Sequence, residues 1–498
     1  MNGLIVGDNF YQEPRTAIGR VNGAHRISTV FRKKGVQVDV IDFFNDWTIE
    51  ELDEYINRYN NLDFLGLSLG LSKPNAKLVN PLISLVKNRF PEIKIIAGGS
   101  DVLEHYYKGV DLYFKGFAEE VISNLIKYIE TGKFSSLYVQ EIETHDKKRV
   151  VDCNTHFKIF DLDNLRTEYT EQDFIQSNEV LTIETSRGCI FKCSFCNYPF
   201  TGKRKNDYIR EKEDIKNEIV DNYQKYKTTR YLITDDTFND NPLKVDMMYE
   251  ISQEIDFKLS FMCYARVDLL HARPDRLKKM IDFGIKGMFF GVESLKESTS
   301  KQIGKGFSGE RLKQYLLEIR SQYPNLHLTT SFIIGLPNES IEEFKDNIQW
   351  MIDNDATDSI PVFDLAIQVD NKVNYTSDFT KNWNLSGYEK MTMEEIYDYR
   401  KKFPEMFNII NIDDYVKHLL PWKNKQMNFI EANYHGQEIR NMLKSHTSVT
   451  GWYAFAHAFN SENLYKNIWT TKNNYDWMSQ ATAAKDFVNR YKQKKLNY

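Results

Sequence analysis

Ser186 to Pro199 reads SRGCIFKCSFCNYP, which sets Cys189, Cys193 and Cys196 in the spacing Cys-x3-Cys-x2-Cys. Three thiolates on one short loop can hold three irons of a [4Fe–4S] cube and leave the fourth iron without a protein ligand. An open coordination position is what catalysis needs, whereas a structural metal site is normally closed. A zinc knuckle is the competing assignment, but zinc wants a fourth ligand and none lies nearby in the sequence.

From that loop outward, the barrel pattern appears first. Strands are expected near Leu181–Thr185, Arg230–Thr234, Leu259–Tyr264, Gly287–Phe290, Leu328–Ile334 and Phe363–Gln368, with helices over 211–226, 243–255, 274–283, 308–322 and 340–354. Six strand–helix units imply a partial (β/α) TIM-type barrel whose function sits at the carboxyl ends of its strands. The cysteine loop directly follows the first of them. Later strand ends carry Asp235 and Asp236, Arg266, Glu293 and Ser294, and Gly335-Leu336-Pro337. A single acid there reads equally as a helix cap or a solvated loop charge. Lys301, Lys305 and Gly306 are read as an exposed turn between helices, and Cys263 as core.

The N-terminal third alternates short apolar strands (Leu4–Val6, Val36–Ile41, Phe64–Leu67, Ile93–Ala97, Asp111–Phe114) with helices over 20–34, 49–60, 75–89, 101–107 and 118–131. Strands separated by helices of this length imply a parallel, doubly wound flavodoxin/Rossmann-like sheet. Ligands of such sheets lie at the carboxyl edge near the switch point. Three loops at that edge are rich in small residues: Gly7-Asp8, Ser68-Leu69-Gly70 and Gly98-Gly99-Ser100. Small residues let a bulky ligand approach the backbone.

The fold expected is α/β. A doubly wound sheet over 1–132 is followed by a connector over 133–178, the six-stranded barrel over 179–372 and a mainly helical, aromatic-rich region over 373–498. Ser135–Glu143, the turn His145–Lys148 and Arg149–Asp152 suggest a hairpin within the connector, where Cys153 is a bystander. In the last region Thr392 before Glu394 and Glu395 marks a helix start, with helices also near 435–445, 449–459 and 475–493. Trp383, Trp422, Trp452, Tyr453, Trp469 and Trp477 are read as anchors of a small helical core, or as a cap on the open side of the barrel. His435, His446 and His457 lack ligand spacing, and Lys492 to Lys495 reads as a solvated tail.

Composition narrows the functional classes. A chain of 498 residues calls for two or three domains, and 41% hydrophobic with 27% charged residues is that of a globular protein. The net charge of −5 supplies no general reason to bind nucleic acid or anionic membrane. No run approaches the about 18 apolar residues of a membrane span. The start, MNGLIVGDNFYQEP, reads as a strand and not as a signal peptide. Cys153 and Cys263, the two cysteines outside the loop, form no framework of pairs, which fits a reducing cytoplasm. No internal repeat or low-complexity tract is present.

With Arg187-Gly188 before the first cysteine and Phe195 before the last, the loop resembles that of the radical S-adenosylmethionine (radical SAM) superfamily, and the strand ends from Glu184 to about Asp370 fit the same family. The resemblance implies that Asp235 and Asp236 meet the methionine amino group and that Arg266, Glu293 and Ser294 approach its carboxylate or the ribose. It places Phe195, Ile333 and Gly335 near adenine. The chemistry agrees: an ammonium wants acceptors, a carboxylate a cation, ribose a carboxylate or serine, and the base an apolar slot.

The first domain resembles the cobalamin-binding domain that precedes many radical SAM barrels. There a serine or threonine after the third strand and Gly-Gly after the fourth line the channel for the nucleotide tail; Ser68, Gly98 and Gly99 match. One departure stands out: cobalt-ligating domains carry Asp-x-His-x-x-Gly, whereas Asp8 is followed two positions later by Phe10, and His25 lies too far along. Many relatives of that branch also lack the histidine.

The resemblance implies reductive cleavage of S-adenosylmethionine to methionine and a 5′-deoxyadenosyl radical, with a donor such as flavodoxin or ferredoxin. With cobalamin it implies methyl transfer to an unactivated carbon of a small-molecule or peptide substrate. Methylthiotransfer is disfavoured because no cysteine precedes Cys153 to hold a second cluster. A cobalamin-independent oxidoreductase or lyase, and a non-catalytic iron–sulfur or zinc protein, remain the alternatives.

Overall fold

The computed structural model describes residues 1–9, 15, 18–69, 76–99, 107–135, 140–143, 149–153, 162–177, 179–196, 208–367, 386–446 and 477–498. Phe10, Gly70, Ser100, the helix expected over 101–107 save its last residue, the turn 145–148, Asn197 to Pro199, Trp383, Trp452, Tyr453, Trp469 and His457 lie outside the described residues, as do the side chains of His446 and Trp477.

The first sheet is built from apolar runs: β1 (Asn2–Gly7), β2 (Gln37–Ile41), β3 (Phe64–Ser68), β4 (Lys94–Gly98) and β5 (Leu112–Lys115). Between them lie α1 (Asn22–Lys33), α2 (Ile49–Ile56) and α3 (Ala76–Arg89), and α4 (Ile122–Thr131) follows β5. Thr48 and Glu51 close a capping box at the start of α2, and Gly132 ends α4 in the left-handed conformation at φ 72°. The order β2-β1-β3-β4-β5 is parallel throughout, so the switch point falls between β1 and β3. The hairpin β6 (Gln140–Glu143) and β7 (Arg149–Asp152) extends this same sheet, β7 pairing parallel with β5. It therefore packs as part of the first sheet and not as a free connector. Val150, Val151 and Cys153 are buried there.

The second sheet holds β8 (Leu181–Ile183), β9 (Arg230–Ile233), β10 (Ser260–Ala265), β11 (Ile285–Glu293), β12 (His327–Ile334) and β13 (Val362–Asp364) in sequence order, all parallel. Its main crossover helices are α5 (Lys212–Tyr226), α6 (Pro242–Glu254), α8 (Pro274–Asp282), α10 (Gly309–Gln322) and α11 (Ile341–Asp353). Two short helices, α7 (Val267–Ala272) and α9 (Glu297–Gln302), stand at strand ends. Cys263 is fully buried in the layer between strands and helices, as core.

Helices α12 (Met393–Lys402), α13 (Ile412–His418) and α14 (Phe429–His446) close on the barrel, with a two-residue ribbon of β14 (Glu389–Lys390) and β15 (Trp422–Lys423) between them. Thr392 and Glu395 form the capping box at the start of α12. Trp422 is buried against Tyr388 and donates to the Leu365 carbonyl at 3.0 Å, so this tryptophan does anchor the region to the barrel.

The last helix, α15 (Trp477–Asn497), goes elsewhere. It packs on the first sheet, where Phe487, Val488 and Tyr491 join the cluster of Leu4, Phe43 and Trp47. This corrects the reading of Lys492 to Lys495 as a solvated tail. Lys495 is fully buried on Asp39, and Lys492 donates to the Asp46 carbonyl at 2.9 Å and pairs with Glu51 at 2.6 Å.

Candidate functional site

The cysteine loop leaves β8 and is anchored before it begins. Asp235, at the end of β9, accepts from the Thr185 amide (2.7 Å), the Thr185 hydroxyl (2.5 Å), the Ser186 amide (3.2 Å) and the Ser186 hydroxyl (2.8 Å). Lys244 of α6 completes its shell at 3.0 Å and also reaches Asp240 at 2.7 Å, Ser186 Oγ at 2.9 Å and the Thr237 carbonyl at 2.8 Å. Lys244 is fully buried. Burial pulls its pKa down, but Asp235 and Asp240 more than restore it, so it stays a cation.

Asp235 is thus committed to the root of the loop. The two adjacent acids, both expected as acceptors, have different surroundings. Asp236 lines an open cavity while Asp235 turns inward.

Cys189, Cys193 and Cys196 are in no disulfide, and each is partly exposed. Cys189 Sγ lies 3.3 Å from Thr237 Oγ1, and the Cys196 amide donates to the Cys193 carbonyl at 3.0 Å. Gly188 adopts φ 87°, a conformation that favours glycine, and turns the chain into the first cysteine. Arg266 differs from expectation. Its guanidinium grips Asp268 (3.0 and 2.7 Å), stacks 3.9 Å over Phe191 and sets Nη1 3.6 Å from Cys193 Sγ. It puts a fixed positive charge beside a cysteine sulfur. Among the described residues no three His, Cys, Asp or Glu side chains surround a single-ion site. The donor set fits an iron–sulfur cluster: three thiols on one loop, held from beneath, with a cation beside one sulfur.

Glu293, at φ 69°, ends β11 and pairs with Lys305 at 3.1 Å, while Ser331 Oγ donates to its other oxygen at 3.3 Å. Lys305 Nζ also lies 5.8 Å from the centre of the Phe195 ring. Lys301 and Gly306 are exposed as expected, but Lys305 is not, which corrects that reading. Phe195, Glu293 and Lys305 therefore form one group beside the loop. Ile333 is half-buried on β12. Gly335, at φ 106°, is occupied differently from expectation. A Cβ there would meet the Trp422 ring at 2.7 Å, and its carbonyl accepts from Tyr388 (3.1 Å) and Asn424 (3.2 Å). Ser294 is fully buried and caps the turn into α9 through the Lys296 amide at 3.0 Å.

Glu339, buried behind that turn, is a titrating element of the barrel end. Burial pushes its carboxyl from the ordinary 4.5 up to about 7, against the opposing effect of Ser294 and Asn347. A carboxyl raised in the folded state makes the protein less stable as pH rises from below its unfolded value to above the folded one. At about 1.4 kcal/mol per unit, this fall amounts to about 3 kcal/mol. Glu339→Gln should flatten it, which denaturant midpoints at pH 5 and pH 8 will register; an equal slope in wild type and variant refutes it.

Ser68, Gly98 and Gly99, apart in sequence, come together on a cavity of about 340 Å³. The cavity runs between α1 and α4 down to the sheet at Ile5, Gly66 and Ile96. A Cβ on Gly23 would meet no neighbour, while one on Gly99, at φ 133°, would strike the Leu69 carbonyl, so glycine is required there. Its other wall belongs to the barrel, through Glu184, Arg187, Gly188, Thr234 and Asp236. A larger groove of about 910 Å³, lined by residues such as Asn2, Gln37 and Arg58, lies at the opposite edge of the first sheet and includes no barrel residue.

The mouth of the 340 Å³ cavity is charged. Arg187 holds Glu184 at 2.9 and 3.1 Å and Glu119 at 2.9 Å, and lies 4.4 Å over the Phe117 ring. Arg26 of α1 reaches Glu184 at 2.5 Å. Arg187 stood in the quoted loop, but Glu119, Arg26 and Lys244 carried no sequence signal beyond that of ordinary helix charges. Asp8, where a cobalt-ligating motif would begin, is buried on Arg15 at 2.7 Å, and His25 is buried on Asp42 at 2.9 Å.

Residues 183–351 match the model of the Radical SAM superfamily. Bacteriochlorophyllide d C-8(2)-methyltransferase of Chlorobaculum tepidum is 25% identical over 202 residues, 38% of this chain and 43% of that protein. The ribosomal protein uS12 methylthiotransferase of Nitratiruptor is 30% identical over 190 residues, 36% of this chain and 41% of that one. The chain thus spans less than half the length of these curated relatives. The radical S-adenosylmethionine methyltransferase TsrM of Kitasatospora setae, solved with cobalamin and a [4Fe–4S] cluster, is 13% identical and superposes with a TM-score of 0.64 over 97% of this chain and 99% of that one. That likeness is one of fold.

Proposed function

We propose, from the premise that this chain carries a radical SAM domain and is an enzyme of that type, that it transfers a methyl group to an unactivated carbon using a [4Fe–4S] cluster, S-adenosylmethionine and cobalamin. One observation carries the reading: Arg187 and Gly188, which lead into the first cysteine, line the cavity that opens from the small-residue edge of the first sheet. A cofactor in that sheet and a cluster on that loop would be neighbours.

When bound, a reduced cluster supplies the electron that splits S-adenosylmethionine, and a corrinoid supplies the methyl group. Cys189, Cys193 and Cys196 would hold the cluster. Asp236 and the Glu293–Lys305 pair offer acceptors and a cation for the amino acid part of S-adenosylmethionine, with Phe195 and Ile333 for the base. Ser68, Gly98 and Gly99 would border the corrinoid tail. At 340 Å³ the cavity is at the small end of ligand pockets, about 300–1,000 Å³, and suits part of a corrinoid. Asp8 is committed to a buried ion pair with Arg15 and His25 to a buried contact with Asp42, so neither is placed to ligate cobalt. The absence of cysteine before Cys153 disfavours a methylthiotransferase with a second cluster on the first domain.

The test is anaerobic incubation of the iron-loaded protein with reductant, S-adenosylmethionine and hydroxocobalamin. 5′-Deoxyadenosine or S-adenosylhomocysteine should form, and the variant with Cys189, Cys193 and Cys196 all changed to alanine should form less than about a thousandth as much, a loss of about 4 kcal/mol in barrier terms. Neither product from wild type, or undiminished product from the variant, would refute the reading.

A further inference from the structure

The four charged side chains at the cavity mouth form one chain of contacts, Glu119–Arg187–Glu184–Arg26, and all are buried. Glu119 and Arg26 belong to the first sheet's helical layer; Arg187 and Glu184 belong to the barrel. Signs alternate along it, so each charge is compensated only while its neighbours stay in place. All four line the cavity, and so does Gly188, the residue between Arg187 and Cys189. A molecule filling the cavity therefore touches the peptide next to the first cysteine as well as the side chains that hold it.

We propose that Arg187 is a positioning residue that couples the cavity to the cysteine loop: occupancy of the cavity is transmitted through the Glu119–Arg187–Glu184 contacts to the environment of Cys189. Arg187 suits this role because its three donor nitrogens are divided between the two units, Nε and Nη2 on Glu184 and Nη1 on Glu119. The Phe117 ring covers its face and leaves it one orientation. A lysine could not hold both carboxylates in this geometry. The loop has a second anchor in Asp235 and Lys244, whose hydrogen bonds and ion pairs among the described residues all stay within the barrel, so the two supports are separable.

This rests on the cluster and corrinoid assignments above, and the experiment separates the two. Iron-loaded, dithionite-reduced protein is examined by electron paramagnetic resonance before and after hydroxocobalamin, with bound corrinoid measured by absorbance after gel filtration. In wild type, corrinoid binding should shift the g values of the reduced cluster. In Glu119→Gln, examined at hydroxocobalamin concentrations that saturate the protein, bound corrinoid should no longer shift the g values. Phe117→Leu removes the covering ring without touching an ion pair and should reduce the shift, which keeps the comparison available if Glu119→Gln loses iron. Arg187→Lys should not restore it. Bound corrinoid with no shift in wild type, or an unchanged shift in both Glu119→Gln and Phe117→Leu, overturns the coupling alone. No corrinoid on wild type overturns the cavity assignment and the coupling together.

Discussion

Lys244→Met should lower the unfolding free energy by about 3–5 kcal/mol, the loss typical of removing one partner from a buried ion pair. The lysine is fully buried with four partners, two of them the carboxylates of Asp235 and Asp240. Methionine fills much of the same space, so the loss is chiefly one of charge and not of packing. Asp235 would then hold a buried negative charge against Thr185 and Ser186, the residues that lead into the cysteine loop. Iron retained per chain should fall along with stability. Guanidinium unfolding of wild type, Lys244→Met and the double variant Lys244→Met/Asp240→Asn checks this, and the double variant should recover part of the loss. A deficit below about 1 kcal/mol would mean that the hydroxyls and amides on Asp235 suffice without the cation.

Arg20→Met should cost a similar amount, again about 3–5 kcal/mol, and through a different join. Arg20 is buried where three stretches of chain meet. It holds Glu179 at 2.6 and 3.0 Å, Asp42 at 3.0 Å and the carbonyls of Asp173 and Phe174 at 2.9 and 3.1 Å, and it lies 4.8 Å over the ring of Tyr491. Asp42 keeps His25, but Glu179 loses its cation, and α15 loses the guanidinium that Tyr491 covers. The variant should therefore melt earlier and release α15 first. Limited proteolysis should show cleavage within 477–498 at a protease concentration that leaves wild type intact. Simultaneous loss of all parts at one midpoint, without early cleavage, would show that α15 is held by its apolar face alone.

The elements were legible because they repeat. The helix expected over 211–226 is Lys212–Tyr226 and the one over 340–354 is Ile341–Asp353; each barrel strand lies within a residue or two of its expected start. Alternating strands and helices of these lengths admit few parallel folds, so periodicity and glycine punctuation carry through to topology. The cysteine loop was legible for another reason: its chemistry requires three thiols close together in sequence.

Side-chain commitments were legible only in part. Asp235 and Asp236 are adjacent and chemically identical, yet one is locked under the loop and the other lines the cavity. Arg266 was placed correctly at a strand end, but what it grips, Asp268 and Cys193, depends on a rotamer that no spacing encodes. Lys305 and Lys495 read as exposed because lysines near turns and chain ends usually are. Lys305 is half-buried on Glu293 and Lys495 fully buried on Asp39, because each carboxylate holds the cation in place.

The sequence by itself determined the two parallel sheets, the loop that offers three thiols and the small residues at the edge of the first sheet, because each rests on local periodicity or on a short motif. Only the tertiary structure decided that the first sheet and the cysteine loop share a cavity, that Glu119 and Arg187 join across it, and that the last helix returns to the first sheet. Ion pairs between residues 68 or 456 positions apart leave no periodic trace in a chain. They are set by which surfaces the apolar faces bring together, and the charges at those seams then pair because burial without a partner is so costly.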